Sequence, residues 1–283
     1  MHVLDDGYSS EVDIMAVMLK NFLTANSAIK NGLNFQSNDV KLMLPKPENA
    51  LHHIEETLQK IQHGIIRTPC VKSEFFSKLM DMEIYLKKEN LQYTGSFKAR
   101  GALAAIKNLS KLEKTNGIVA ASSGNHALAL AYHAMHLGVP FTAVLPSSAS
   151  TVKILRSQAY GANVLINGKI FEEAQSNAIK LANESGLTYI DSDDNPFVVL
   201  GQGTVALEIL EDVKFLSSVD DIGSIAVELV KSQVDDFVYV NADMVAVAML
   251  HLFEHENIIV ECPAAVGLAA LRSEKLKYLQ GKK

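Results

Sequence analysis

Gly117-Ile-Val-Ala-Ala-Ser-Ser-Gly-Asn-His126 is the stretch from which the fold is read. Gly117 to Ala121 is a short apolar run of strand character, Ser122 to Asn125 is a polar loop, and Ala127 to Leu137, closed by Gly138, has the apolar period of a helix. The alternation continues as strand Val139 to Leu145, helix Thr151 to Tyr160, strand Asn163 to Ile166, helix Phe171 to Glu184 and strand Leu187 to Ile190. Gly138, Gly161 and Gly186 fall where helix C-caps belong. Strands alternating with helices predict a doubly wound parallel sheet that binds its ligand at the carboxyl ends of the strands. The Ser122 to Asn125 loop lies at such an end, where backbone N–H groups and hydroxyls at a helix start suit a carboxylate or phosphate. Taken alone, Ser and Asn are also ordinary N-caps.

Upstream, Lys87-Lys-Glu-Asn-Leu-Gln-Tyr-Thr-Gly-Ser-Phe-Lys-Ala-Arg-Gly-Ala102 places one lysine, Lys98, behind a turn-forming Thr94-Gly95-Ser96 and at the opening of the helical run Ala99 to Leu109. A loop-to-helix junction can aim a side chain into a cleft. Desolvation there would leave the neutral amine that Schiff-base chemistry requires. The alternative is a solvated lysine near a helix start.

Together, Glu89 to Ala102, Ser122-Ser-Gly-Asn-His-Ala127 and Gly201-Gln-Gly-Thr-Val-Ala-Leu-Glu208 resemble the PLP-dependent serine/threonine dehydratase family, which includes threonine ammonia-lyases and serine racemase. The resemblance runs from about Lys46 to Leu210 and then resumes in a C-terminal piece after a gap. It implies an α/β protein of PLP fold type II, the tryptophan synthase β-like fold: two doubly wound open-sheet domains, the large one incomplete. The expected division is an N-terminal extension at 1–45, a discontinuous large domain at 46–117 and 197–283, and a small domain at 118–196. The resemblance also implies pyridoxal 5'-phosphate as cofactor, held covalently by Lys98, with Phe97 against its ring and Asn125 on its phenolic oxygen. Ser122, Ser123, Gly124, Asn125 and His126 would bind the substrate carboxylate, and Ser123 matches the opposite-face acid/base of the racemases. The implied reaction is deamination of L-threonine or L-serine to 2-oxobutanoate or pyruvate and ammonia. Two other readings are a shortened or impaired member acting as a partner subunit, and a cysteine-synthase-like β-replacing enzyme.

The chain departs from that family at identifiable places. The family carries consecutive glycines whose amides hold the cofactor phosphate, whereas no two of the 16 glycines here are adjacent. Glu211 to Lys231 passes directly into a segment that comes much later in the family, and the chain ends at Gly281-Lys-Lys283, before the family's last strand and its Ser-Gly-Gly-Asn motif. The expectation is a shortened product of a dehydratase gene or an inactive member.

Composition bounds the rest. With 283 residues and 48% hydrophobic content the chain can bury a core, and a net charge of −6 argues against nucleic acid or an anionic membrane surface as the main partner. Cys70 and Cys262 are too few for a disulfide framework or a metal site. No apolar run is long enough to span a bilayer, and Asp5 and Asp6 sit where a signal peptide would be positive, so a cytosolic protein without a metal is expected, and the resemblance implies a homo-oligomer. Glu11 to Leu23 and Glu48 to Gln62 read as amphipathic helices on either side of Pro45-Lys-Pro47. Asp191-Ser-Asp-Asp-Asn195 reads as a turn rather than a calcium loop, and Gly201 as the opening of a helix to Glu211. A strand is expected at Asp235 to Val240, a helix capped by Asn241, and a last helix at Pro263, with Glu261 near the family's pocket by resemblance.

Overall fold

The computed structural model describes residues 50–122, 124–213, 240–272 and 276. These fall into two compact units, one built from residues 50–71 and 86–213, the other from residues 72–85 and those described from 240 onward.

In the larger unit, α1 (Ala50–Ile61) is followed by α3 (Lys98–Asn108), α4 (Lys111–Asn116), β3 (Ile118–Ala121), α5 (Asn125–Leu137), β4 (Phe141–Leu145), α6 (Thr151–Ala159), β5 (Asn163–Ile166), α7 (Phe171–Ser185), β6 (Thr188–Tyr189) and α8 (Pro196–Asp212). The caps are local. Ser110 and Glu113 close a reciprocal capping box at the start of α4, and Gly138 and Gly186 end α5 and α7 in the left-handed conformation. The strands form one parallel sheet in the order β5-β4-β3-β6, with Ile118 opposite Phe141 and Ala121 opposite Val144.

Alternate residues of β3 serve opposite faces, as strand geometry requires. Ile118 and Ala120 pack with Ala127, Leu130, Ala131 and Ala134 of α5, while Val119 and Ala121 pack with Ala174, Ala178 and Ala182 of α7. All four β3 residues are buried, so helices cover both faces, which is the doubly wound arrangement expected. A second sheet, β1 (Cys70–Lys72) with β2 (Tyr85–Lys87), has two strands among the described residues.

One expectation is corrected. α8 opens at Pro196, with Asn195 Oδ1 accepting from Phe197 N and Val198 N, so Gly201 lies inside the helix and does not start it. Gly201 has another use there. A Cβ on it would stand 2.6 Å from Gly101 Cα and 2.7 Å from Arg100 O, so α8 and α3 cross backbone against backbone. That crossing fixes the start of α3, which carries Lys98.

The smaller unit contains α2 (Glu74–Met80), α9 (Ala242–Glu256) and α10 (Cys262–Leu271). Asn241 caps α9 as expected, accepting from Met244 N at 2.9 Å. Phe75 stacks on His255 at 3.6 Å between ring centres, and Ser73 donates to Glu256. Glu261 is exposed at the start of α10. The helix expected at Glu11 to Leu23 and the strand at Asp235 to Val240, apart from Val240 itself, lie outside the described residues. No helix among the described residues is long and apolar enough to cross a membrane.

Candidate active site

Lys98 is the first residue of α3. Gly95 takes φ +76 and donates to Gln92 O, and Ser96 Oγ accepts from Lys98 N at 3.3 Å, so the turn before it is set by its own residues. The lysine side chain is 14% exposed; its Nζ lies 3.1 Å from Ser192 O, 3.2 Å from Asp193 Oδ1 and 5.5 Å from the centre of the Phe97 ring. The expected free amine is therefore ion-paired here, because the loop after β6 brings a carboxylate to it.

Ser122 follows β3, donates its N–H to Val144 O and accepts from Gly124 N at 3.0 Å through Oγ. Asn125 begins α5, half-buried, with His126 buried behind it. A Cβ on Gly124 would stand 2.9 Å from Lys153 Nζ, so the side chain of α6 lies across this glycine. Ser123 lies outside the described residues. Lys98, Ser122, Gly124 to His126 and the 191–194 loop thus gather at the carboxyl ends of β3 and β6.

The 191–194 loop is the turn expected. Asp191 Oδ1 accepts from Asp193 N and Asp194 N, both at 2.8 Å, and Oδ2 accepts from Tyr189 OH and Gln175 Nε2. No cluster of metal-ligating side chains occurs among the described residues. Burial opposes ionisation of Asp193, but the Lys98 charge and the Ser192 hydroxyl outweigh it and hold its carboxyl below the ordinary range.

Behind Lys98, Arg100 is fully buried between two carboxylates. It donates from Nε and Nη2 to Glu89 at 2.9 and 2.8 Å, and from Nη1 and Nη2 to Glu208 at 2.7 and 2.8 Å. Lys87 Nζ joins Glu208 at 2.8 Å and Asp212 at 3.2 Å. Burial would raise the Glu208 carboxyl, but Arg100 and Lys87 together bring it below its ordinary value. This network ties the Glu89 turn, α3 and α8 into one piece.

His126 and His133 lie two turns apart on α5, each 3% exposed. Burial, aided by the Lys98 charge for His126 and by His136 for His133, pushes both down to about 4. His126 Nε2 donates to Ile190 O at 3.3 Å, which leaves the buried Nδ1 without a partner. Both folded values lie below the ordinary 6.5, so the unfolded chain takes up protons first as pH falls. The stability these neutral rings provide is complete above pH 6.5 and is lost on the way down to about pH 4, about 3 kcal/mol for each ring. Urea midpoints measured from pH 7 to pH 4.5 should fall steadily, with proton uptake on unfolding; a flat profile would contradict the burial of these rings.

Sequence reasoning did not find Asp193, the Arg100 clamp or Lys153. Asp193 and Glu208 carried no local signal, since their partners are 95 and 108 residues away.

The arrangement can be tested against the expected cofactor. An amine beside an aromatic ring, its charge felt by His126 at a helix start, with the buried His126 Nδ1 left without a partner, fits a group that offers a carbonyl carbon, an aromatic ring and an attached amino-acid carboxylate. The fit concerns that end of the group, since the sequence has no adjacent glycines to cradle a phosphate.

The family described as pyridoxal-phosphate dependent enzyme matches residues 61–223. An L-threonine ammonia-lyase of Thermotoga maritima is 33% identical, with 78% of this chain and 71% of that protein covered. A catabolic L-threonine dehydratase of Staphylococcus aureus is also 33% identical, with 82% and 86% covered. Among solved structures, serine racemase from Dictyostelium discoideum is similar with a TM-score of 0.71 at 28% identity, covering 81% of this chain and 94% of that one.

Proposed function

Because this chain belongs to the pyridoxal-phosphate dependent enzyme family, we propose that it deaminates L-threonine or L-serine, yielding 2-oxobutanoate or pyruvate with ammonia. The observation that carries this reading is Lys98, a largely enclosed amine at a helix start beside an aromatic ring and the 191–194 loop. The names of the relatives support the substrate class.

Lys98 is the residue proposed to hold pyridoxal 5'-phosphate, with Phe97 beside the ring and Asn125 toward its phenolic oxygen. When bound, that group withdraws electrons from the substrate's α-carbon. Ser122, Ser123, Gly124, Asn125 and His126 bind the substrate carboxylate at the positive end of α5. His126 is neutral in the folded protein, so the charge offered to the carboxylate comes from backbone N–H groups and not from an imidazolium. Lys98 Nζ, once free, takes the α-proton, and Ser123 stands as the acid/base of the opposite face. A cytoplasmic, homo-oligomeric protein with a small domain at 118–196 completes the reading.

The test is turnover. Incubated with pyridoxal 5'-phosphate, the purified protein should release 2-oxo acid and ammonia in equal amounts from L-threonine or L-serine. A folded protein that releases neither contradicts the proposal. The absence of adjacent glycines favours a second reading, a catalytically impaired member that serves as a partner subunit. Inactivity of this chain together with altered activity of a co-expressed relative would support it.

A further inference from the structure

The carboxylate beside Lys98 is not explained by turn formation. Asp191 already builds the turn, accepting both Asp193 N and Asp194 N. Asp193 is left with its own carboxylate directed to other groups: Oδ1 is 3.2 Å from Lys98 Nζ, and Oδ2 accepts from Ser192 Oγ at 2.9 Å. Ser192 adds its backbone carbonyl, 3.1 Å from the same nitrogen. Two acceptors from adjacent residues thus hold one amine, and they lie at the end of β6 next to buried His126, which donates to Ile190 O one residue before the loop.

Deepening the reading of Lys98 as the carbonyl-reactive lysine, on which it rests, we propose that Asp193 is a positioning residue that latches this amine as an ion-paired donor until a carbonyl compound competes for it. An amine engaged as a hydrogen-bond donor to a carboxylate cannot present its lone pair. To react, Lys98 must leave Asp193 and Ser192 and give one proton to solvent. The nitrogen lone pair then adds to the carbonyl carbon, the C=N bond forms, and the carbonyl oxygen departs as water with the two remaining N–H protons. The ease with which the Asp193 carboxyl ionises, despite its burial, is the same contact seen from the carboxylate. The latch therefore sets how fast Lys98 is captured without taking part in the bond changes.

The test uses propionaldehyde with cyanoborohydride as the labelling pair, on the full chain, and reads the rate of alkylation at Lys98 by peptide mass spectrometry. Lys180, with 72% of its side chain exposed, serves as the internal reference. Asp193→Asn keeps the shape and removes the charge, and should label Lys98 roughly two- to fivefold faster relative to Lys180, as befits a partly exposed ion pair. Asp193→Glu should restore a rate close to that of the parent protein. On the unsubstituted protein, raising the salt concentration should speed the alkylation of Lys98 by screening the same pair, and do so less in Asp193→Asn. Equal Lys98 rates in the parent and Asp193→Asn proteins, together with no effect of salt, would overturn the latch. Because propionaldehyde reports the amine whatever the protein turns over, failed deamination with faster labelling removes the proposed function and spares the latch, and the reverse pattern does the opposite.

Discussion

Lys98→Ala is expected to remove turnover of L-threonine and L-serine while leaving the fold in place. Lys98 contributes little to stability: its two contacts are at 3.1 and 3.2 Å, and 43% of the Asp193 side chain is already exposed to water. Alanine is also compatible with helical backbone at this position. The chemical loss is of another order. Removing a positioned acid/base lowers the rate by roughly a hundred- to ten-thousandfold before the loss of a covalent anchor is counted. The check pairs a product assay with a thermal melt. An inactive variant that melts like the parent protein places the defect in the site, whereas retained turnover removes Lys98 from the reaction.

Arg100→Met should give the largest loss of stability of any single substitution in the site region. Methionine fills similar volume but leaves Glu89 and Glu208, 13% and 2% exposed, facing each other without the guanidinium between them. Breaking a buried ion network by removing one partner costs about 3–5 kcal/mol, since the remaining charges stay desolvated. Lys87 offsets a part of that through Glu208 but does not reach Glu89 in the network. Urea denaturation of Arg100→Met should show the loss, and adding Glu208→Gln should recover a fraction of it. A single variant within 1 kcal/mol of the parent, roughly the worth of an exposed pair, would show that the clamp is solvated in solution.

The two features differ in how far sequence could reach them. The α/β alternation from Ile118 to Ser185 was legible because each strand is a short apolar run and each helix ends on a residue suited to stop it, as at Gly138 and Gly186. Observed ends fall within about two residues of the expected ones, the scatter normal for such boundaries. The short helix Lys111–Asn116 was missed although Ser110 and Glu113 spell out its capping box. Gly201 misled because a glycine reads as a break, whereas here it lets two helices touch; Asn195-Pro196, the true opening, was present in the sequence. Lys98 and the residues around Ser122 were singled out by their motifs, but the pairing of Lys98 with Asp193 was not. Ion pairs between residues so distant in the chain depend on tertiary approach, and a single sequence has no period or cap that announces them.

Lys98 is proposed to be the amine that holds the cofactor. The measurement that addresses it most directly is to load the protein with pyridoxal 5'-phosphate, remove the excess, reduce with borohydride and locate the label by peptide mass spectrometry. A near-visible absorbance that survives removal of excess cofactor, and a single label at Lys98, is the predicted result. A colourless protein, or label scattered over exposed lysines such as Lys180, would contradict it.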